Sequence, residues 1–126
     1  MKNELIVKNK PKSIISEDIR TIRTNLQNTQ SDINAEISSN VDQINALAKE
    51  IAIINKQINV IELTGVTANE LRDQRTVLID QLSAIVDVDV TETPIYDTYN
   101  PERFTGAHRC IVTIAAGQVL VDGSDY

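Results

Sequence analysis

Apolar residues recur along the first half of the chain at a spacing that only a helix satisfies. They fall at Ile15, Ile19, Ile22 and Leu26, pause over a polar gap, and resume at Ile33, Ile37, Val41, Ile44, Ala48, Ile51, Ile54, Ile58 and Ile61. Steps of mainly three and four mark a helix face that packs lengthwise against another helix, and the opposite face carries Asn, Gln, Ser, Lys and Glu. The pattern predicts one helix from about Ser16 to Leu63, with Ser16 as its N-cap and Glu17 and Asp18 at the positive end of the helix dipole. Gly65 interrupts the rhythm, so Glu62–Thr67 is expected to turn. Thr67 and Glu70 have the spacing of a capping box. A second helix then runs over about Ala68–Val86 with Leu71, Leu78, Leu82 and Ile85 on one side. A short link between two amphipathic helices predicts an antiparallel αα-hairpin.

The two helices differ in length. At about 1.5 Å per residue the first spans roughly 70 Å and the second about 30 Å. The second helix therefore covers residues near 44–63, and the apolar stripe before Val41 has no partner of its own within the chain. A lone helix is marginal in water without tertiary cover, so a homo-oligomer is expected. On this reading Ile33, Ile37, Val41, Ile44 and Ile51 serve assembly. Ile54, Ile58, Leu71, Leu78, Leu82 and Ile85 form the intrachain core.

After Ile85 the period changes to two. Val86-Asp87-Val88-Asp89-Val90 reads as a half-buried strand. Thr93–Gly106, with Pro94 and Pro101, reads as a loop. Arg109–Ala116 is β-branched and turns at Ala116-Gly117 into Gln118–Val121, a β-hairpin that ends at the Asp122-Gly123 turn. Met1–Pro11 reads as an extended basic arm in which Leu5-Ile6-Val7 has strand character. The predicted fold is mainly α: a long helix and a shorter one as a hairpin, followed by a small, incomplete antiparallel β region. The expected divisions are 1–26, 27–87 and 88–126.

Composition narrows the function. The 126 residues suffice for one modest domain, and with 41% hydrophobic but only 3% aromatic residues the core must be built from Ile, Val, Leu and Ala. A net charge of −6 gains nothing from counterion release, which argues against nucleic acid as a partner. No apolar run approaches the roughly 20 residues that span a bilayer, and Met1–Lys12 is too polar for a signal peptide. Cys110 is the single cysteine, so no internal disulfide forms, and it reads as a small buried hydrophobe. His108 beside it lacks the further ligands a metal site needs. Asp87 and Asp89 read as the wet face of a strand, Asp122, Gly123 and Asp125 as a turn, and Tyr96 and Tyr99 as loop residues. Asp73 and Arg75 read as an ion pair on or between helices. No catalytic residue, cofactor or metal is predicted, and an enzyme is not expected.

Ser38–Asp87, SSNVDQINALAKEIAIINKQINVIELTGVTANELRDQRTVLIDQLSAIVD, resembles the flagellar hook-associated protein of the hook–filament junction. Val41–Gln57 is similar to that family's helix with Val-x-x-Ile-Asn-x-Leu-Ala, and Thr67–Gln81 to its helix with Asp-Gln-Arg, here Asp73-Gln74-Arg75. Gly117–Gly123, GQVLVDG, resembles its following strand and turn. The resemblance covers about Gln27–Tyr126. It implies a structural subunit exported without a cleavable signal peptide, located outside the cell on the flagellum, and packed helix face to helix face against other subunits. It also leaves out the family's two terminal segments, so an interior piece unable to build a junction alone is expected.

Lys10–Gln27, KPKSIISEDIRTIRTNLQ, resembles instead the N-terminal stretch of bacterial tyrosine kinases of the capsular-polysaccharide type. Glu17, Arg20 and Arg23 match that family's Glu-x-x-Arg-x-x-Arg oligomerisation motif, and at helical spacing they pair with a neighbouring subunit. Ile14 and Ile19 depart from the pattern, and no Walker motif occurs anywhere, so kinase activity is excluded. The two resemblances together suggest a fusion with its seam near Leu26–Asn28. The alternative function is then a non-catalytic oligomerisation module, which would be cytoplasmic.

Overall fold

The computed structural model of the chain describes residues 12–115 and 117–126. The expected arm and the Leu5-Ile6-Val7 segment lie outside them. Two helices and three strands follow in order: α1 (Lys12–Glu62), α2 (Asn69–Ser83), β1 (Val88–Tyr96), β2 (Phe104–Ile114) and β3 (Gln118–Asp122). The chain divides into two compact units at residues 39/40.

In the first unit the described residues all belong to α1, and every one is exposed. Ser16 lies inside the helix and is not its N-cap, because α1 already includes Lys12. The predicted stripe is present and bare. Ile15, Ile19, Ile22, Leu26, Ile33 and Ile37 all have large exposed side chains.

In the second unit, α1 ends where Gly65, at φ +89, turns the chain and its N–H donates to the Glu62 carbonyl at 3.0 Å. A left-handed residue after the last turn is the usual way a helix stops, and glycine adopts it without a steric penalty. The predicted capping box does not form. Ala68 occupies the cap position of α2 and no side chain bonds there, so Glu70 contributes only as an acid in the first turn. Chain direction follows from the contacts. Arg72 meets Glu62, Arg75 meets Asn55, and Leu82 shares a core with Ala48, Ile51 and Ala52. Rising numbers on α2 meet falling numbers on α1, which makes the pair antiparallel.

The strands form one antiparallel sheet in the order β1-β2-β3. The segment expected as a loop over Thr93–Gly106 is half strand: β1 continues to Tyr96 and β2 begins at Phe104. Pro94, opposite His108, is tolerated because β1 is an edge strand, where a missing N–H need leave no ladder bond unmade. Only residues 97–103 turn. There Asp97 accepts the Tyr99 N–H on its carboxylate at 2.9 Å, and the Asp97 N–H donates to the Arg103 carbonyl at 2.9 Å. The β2–β3 hairpin falls where the alternation predicts it, with Ile114 opposite Gln118 and Val112 opposite Val121.

One face of the sheet lies on the helical hairpin. Ala48, Ile51 and Ala52 of α1, Leu82 of α2, Cys110 and Val112 of β2 and Val121 of β3 form the core, with Leu47, Leu78, Ile79, Val86 and Leu120 packed around it. Hairpin and sheet are thus one folding unit. Ile51 is fully enclosed in this core, which corrects its assignment to an assembly seam. Ile44 is half-buried against the same cluster.

Candidate functional site: helix faces and a polar clasp

Three kinds of surface could carry function, and each follows from how the helices use their faces. The first is the stripe of the proximal helix. Ile33, Ile37 and Val41 remain 51%, 55% and 47% exposed, and Glu17, Arg20 and Arg23 are exposed too. These large apolar groups form an exposed row along one side of the helix.

The second is the face of the hairpin turned away from the sheet. On α1 the buried positions Ala48, Ile51, Ala52, Asn55, Ile58 and Glu62 form one side of the helix. Ile54 and Ile61, predicted in the same row, are rotated from that side by the 100° advance per residue and are half-buried and exposed respectively. Ile58 and Leu82 are buried, whereas Leu71, Leu78 and Ile85 are half-buried along the seam between helices. Two apolar hollows open on this seam. One of about 500 Å³ is lined by Ala46, Leu47, Ala84 and Ile85, with Gln43 and Gln81 at its edge. The other, about 380 Å³, is lined by Val60, Ile61 and Leu71, with Lys56 and Gln57.

The third is a clasp of polar side chains between hairpin and sheet, which the apolar pattern does not announce. Arg72 lies fork-to-fork on the buried Glu62 carboxylate, with Nε at 2.9 Å from Oε1 and 3.0 Å from Oε2. Its Nη1 also reaches Glu92 of β1 at 3.1 Å. Arg75, itself buried, donates to Asn55 Oδ1 at 3.0 Å and to Glu92 at 3.2 Å. Asn55 Nδ2 then donates to the Gly123 carbonyl at 2.9 Å. Asn59 bonds both ways to the backbone of His108: its Nδ2 donates to the His108 carbonyl at 2.9 Å, and its Oδ1 accepts the His108 N–H at 3.1 Å. That side chain stands in for a neighbouring strand. A buried guanidinium is tolerated only because each partner answers its charge or its donors. Gly106, at φ +91, is required beside the clasp, since a Cβ there would collide with the Glu62 carbonyl oxygen.

The electrostatics follow from this geometry. Hydrogen bonding to Glu62 raises the Arg72 pKa despite partial burial. Burial pushes the Glu92 carboxyl up, but hydrogen bonds and charge from Arg72 and Arg75 outweigh it and leave the group below its ordinary value. Burial pushes the Cys110 thiol up, consistent with a packing role. Arg75 was expected in a pair with Asp73, but its partners are Asn55 and Glu92. Among the described residues no cluster of His, Cys, Asp and Glu could hold a metal ion, and no helix is long and apolar enough to cross a membrane. A hollow of about 490 Å³ at the hairpin turn, lined by Thr64, Thr67, Phe104, Thr105 and His108 among others, holds no nucleophile paired with a base. His108 Nδ1 is buried there without a partner, while its ring meets Phe104 edge-on at 5.3 Å.

A profile described as "Flagellar hook-associated protein FlgK helical domain" matches residues 11–126. The chain is 40% identical to flagellar hook-associated protein 1 of Escherichia coli (strain K12) over 105 residues, 79% of this chain and 16% of the relative. It is 39% identical to the Bacillus subtilis (strain 168) protein of that name over 77 residues, 61% of this chain and 15% of the relative. The chain thus spans about one-sixth of the length of these relatives. No solved structure gives a significant match. The match begins at residue 11 and so takes in nearly all of the segment that resembled a tyrosine kinase; neither the kinase relationship nor the fusion finds support. The chain belongs to the family of the flagellar hook-associated protein FlgK helical domain.

Proposed function

We propose that this chain is a structural part of the bacterial flagellum, at the junction of hook and filament, and that it acts by packing helix faces against other protein subunits outside the cell. The observation that carries the reading is the family match over residues 11–126, joined to an apolar stripe that the described contacts leave bare from Ile15 to Val41. Such a stripe is costly in water and is stabilised by protein contact. The role is mechanical and non-catalytic, with protein as the partner, self-association as the mode, no cofactor, no nucleic acid and no membrane insertion. Ile33, Ile37 and Val41, with Glu17, Arg20 and Arg23 beside the stripe, are the assembly residues in this reading.

The experiment is a chimera in which residues 11–126 replace the matching segment of the Escherichia coli relative. Swarming on soft agar and labelled protein at the hook tip are the expected results. A chimera that folds and is exported but never localises to flagella would refute the reading.

A further inference from the structure

We propose that the free edge of β1 takes up a strand from another protein, one whose side chains alternate between apolar and basic. This surface goes beyond the packing of helix faces and rests on the sheet alone.

The sheet has two outer strands, and they are closed differently. β3 is five residues long, and its end is taken by its own turn, where Asp122 bridges Asp125. β1 is nine residues long, and Val88–Thr93 run uninterrupted before Pro94 breaks the row of donors. An outer strand turns every second N–H and C=O away from its neighbour, and such a row is a template for one more strand.

The side chains of β1 say what that strand must carry. Val90 stands opposite Val112 on the core side of the sheet, yet Val112 is fully enclosed and Val90 is 44% exposed. Val112 has a strand on either side, whereas Val90 has β2 alone. An added strand covers Val88 and Val90 with its inward side chains, which calls for apolar residues there. Its outward side chains pass Asp87 and Asp89, both exposed. Among the described residues neither has an ion-pair partner. Glu92 lies on the core side and is already held by Arg72 and Arg75. From residue 76 to residue 102 the chain has no Lys or Arg, so bases on the outer face of the incoming strand meet uncompensated acid.

The same charges decide against a described strand of a second copy. β1 laid on another β1 sets acid beside acid, which is unfavourable across strands. β3 carries no base, and Arg109 of β2 is engaged by Asp122. The edge therefore repels its own kind and selects a complement of its Val-Asp alternation.

The test adds the capped hexapeptide Val-Lys-Val-Lys-Val-Lys to the full chain and follows the backbone N–H signals by NMR. Shifts and slowed hydrogen exchange are expected to centre on Val88–Thr93. Val-Glu-Val-Glu-Val-Glu, and the scrambled Val-Val-Lys-Lys-Lys-Val, should bind roughly tenfold more weakly, the size of two lost or reversed cross-strand pairs. Methylating every valine nitrogen or every lysine nitrogen of the peptide should abolish binding in one case only, because a strand offers alternate N–H groups to a single edge. Asp89→Lys, on the exposed outer face, should reverse the preference to the glutamate peptide while circular dichroism stays unchanged. Equal binding of the scrambled peptide, signals that move away from β1, a preference indifferent to Asp89→Lys, or no binding at millimolar peptide would each overturn the proposal. Tighter binding of a peptide of residues 1–12 of this chain would make the occupant a second copy and overturn the choice of partner.

Discussion

Two leucines four residues apart on α2 separate enclosure from mere contact. Leu82 is 0% exposed among Ile51, Val112 and Val121, which are equally enclosed. Leu78 is half-buried at the rim of the same cluster. Leu→Ala removes three carbons, about 2.4 kcal/mol at roughly 0.8 kcal/mol per buried methylene. At position 82 helix and sheet hold the walls apart, so a cavity term is added and the expected loss is about 3–5 kcal/mol. At position 78 part of the transfer term is absent because water already reaches the side chain, and no closed cavity forms. The expected loss there is about 1–2 kcal/mol. Urea unfolding followed by circular dichroism at constant m gives both values. Equal losses at the two positions would refute the placement of the core under the sheet, since a hairpin packed only helix to helix would value both leucines alike.

The clasp gives three further expectations. Asn59→Leu leaves the His108 N–H and carbonyl without their partner and should cost about 1–3 kcal/mol, read from the same unfolding curves. Gly106→Ala must both strain a residue at φ +91 and push against the Glu62 carbonyl, so its melting temperature should fall further than that of Gly117→Ala, where the φ is +105 but the space is open. The Glu92 carboxyl sits below its ordinary value of 4.5 in the folded chain, so its contribution is fully present above that value and is lost as the pH falls through the lower folded one. Glu92→Gln should therefore flatten the acid limb of stability against pH below about 4.5, and an unchanged limb would show that Glu92 is not what binds α2 to β1.

Much of the fold was legible because the helices obey simple periodicity. The stripe, the glycine stop at Gly65 and the hairpin follow from apolar spacing and backbone freedom alone. What spacing could not show is phase. A row read as Ile51, Ile54, Ile58 and Ile61 is in the folded chain a row of Ala48, Ile51, Ala52, Asn55, Ile58 and Glu62, turned toward a sheet that had not yet been placed. The alanines at 48 and 52 are inside, and Ile53 and Val60 are outside. Hydrophobicity alone ranks these residues in the opposite order. Pro94 misled for a related reason: proline argues against a strand only where its N–H would be needed, and an edge need not require it.

The clasp was hidden by its own composition. Asn55, Asn59, Glu62 and Arg75 look like solvent residues, and in isolation most residues of these types are. The signal that was available is their spacing, since Asn55, Asn59 and Glu62 follow one another at four and three along the same side of α1 as Ile51 and Ile58. Polar groups continuing an apolar row imply that something polar covers them. Here that cover is backbone: Gly123 and His108 offer carbonyls and an N–H, and the amide of Asn59 both donates to and accepts from His108. Arg72 and Arg75 then gather Glu62 and Glu92, which ties α2 to β1 as well as to α1. Apolar burial by itself would allow the sheet to slide along the hairpin by a residue pair. The amide and guanidinium bonds instead join named residues of the hairpin, Asn55, Asn59 and Arg75, to named positions of the sheet, Gly123, His108 and Glu92, so a slide by one residue pair would break all of them.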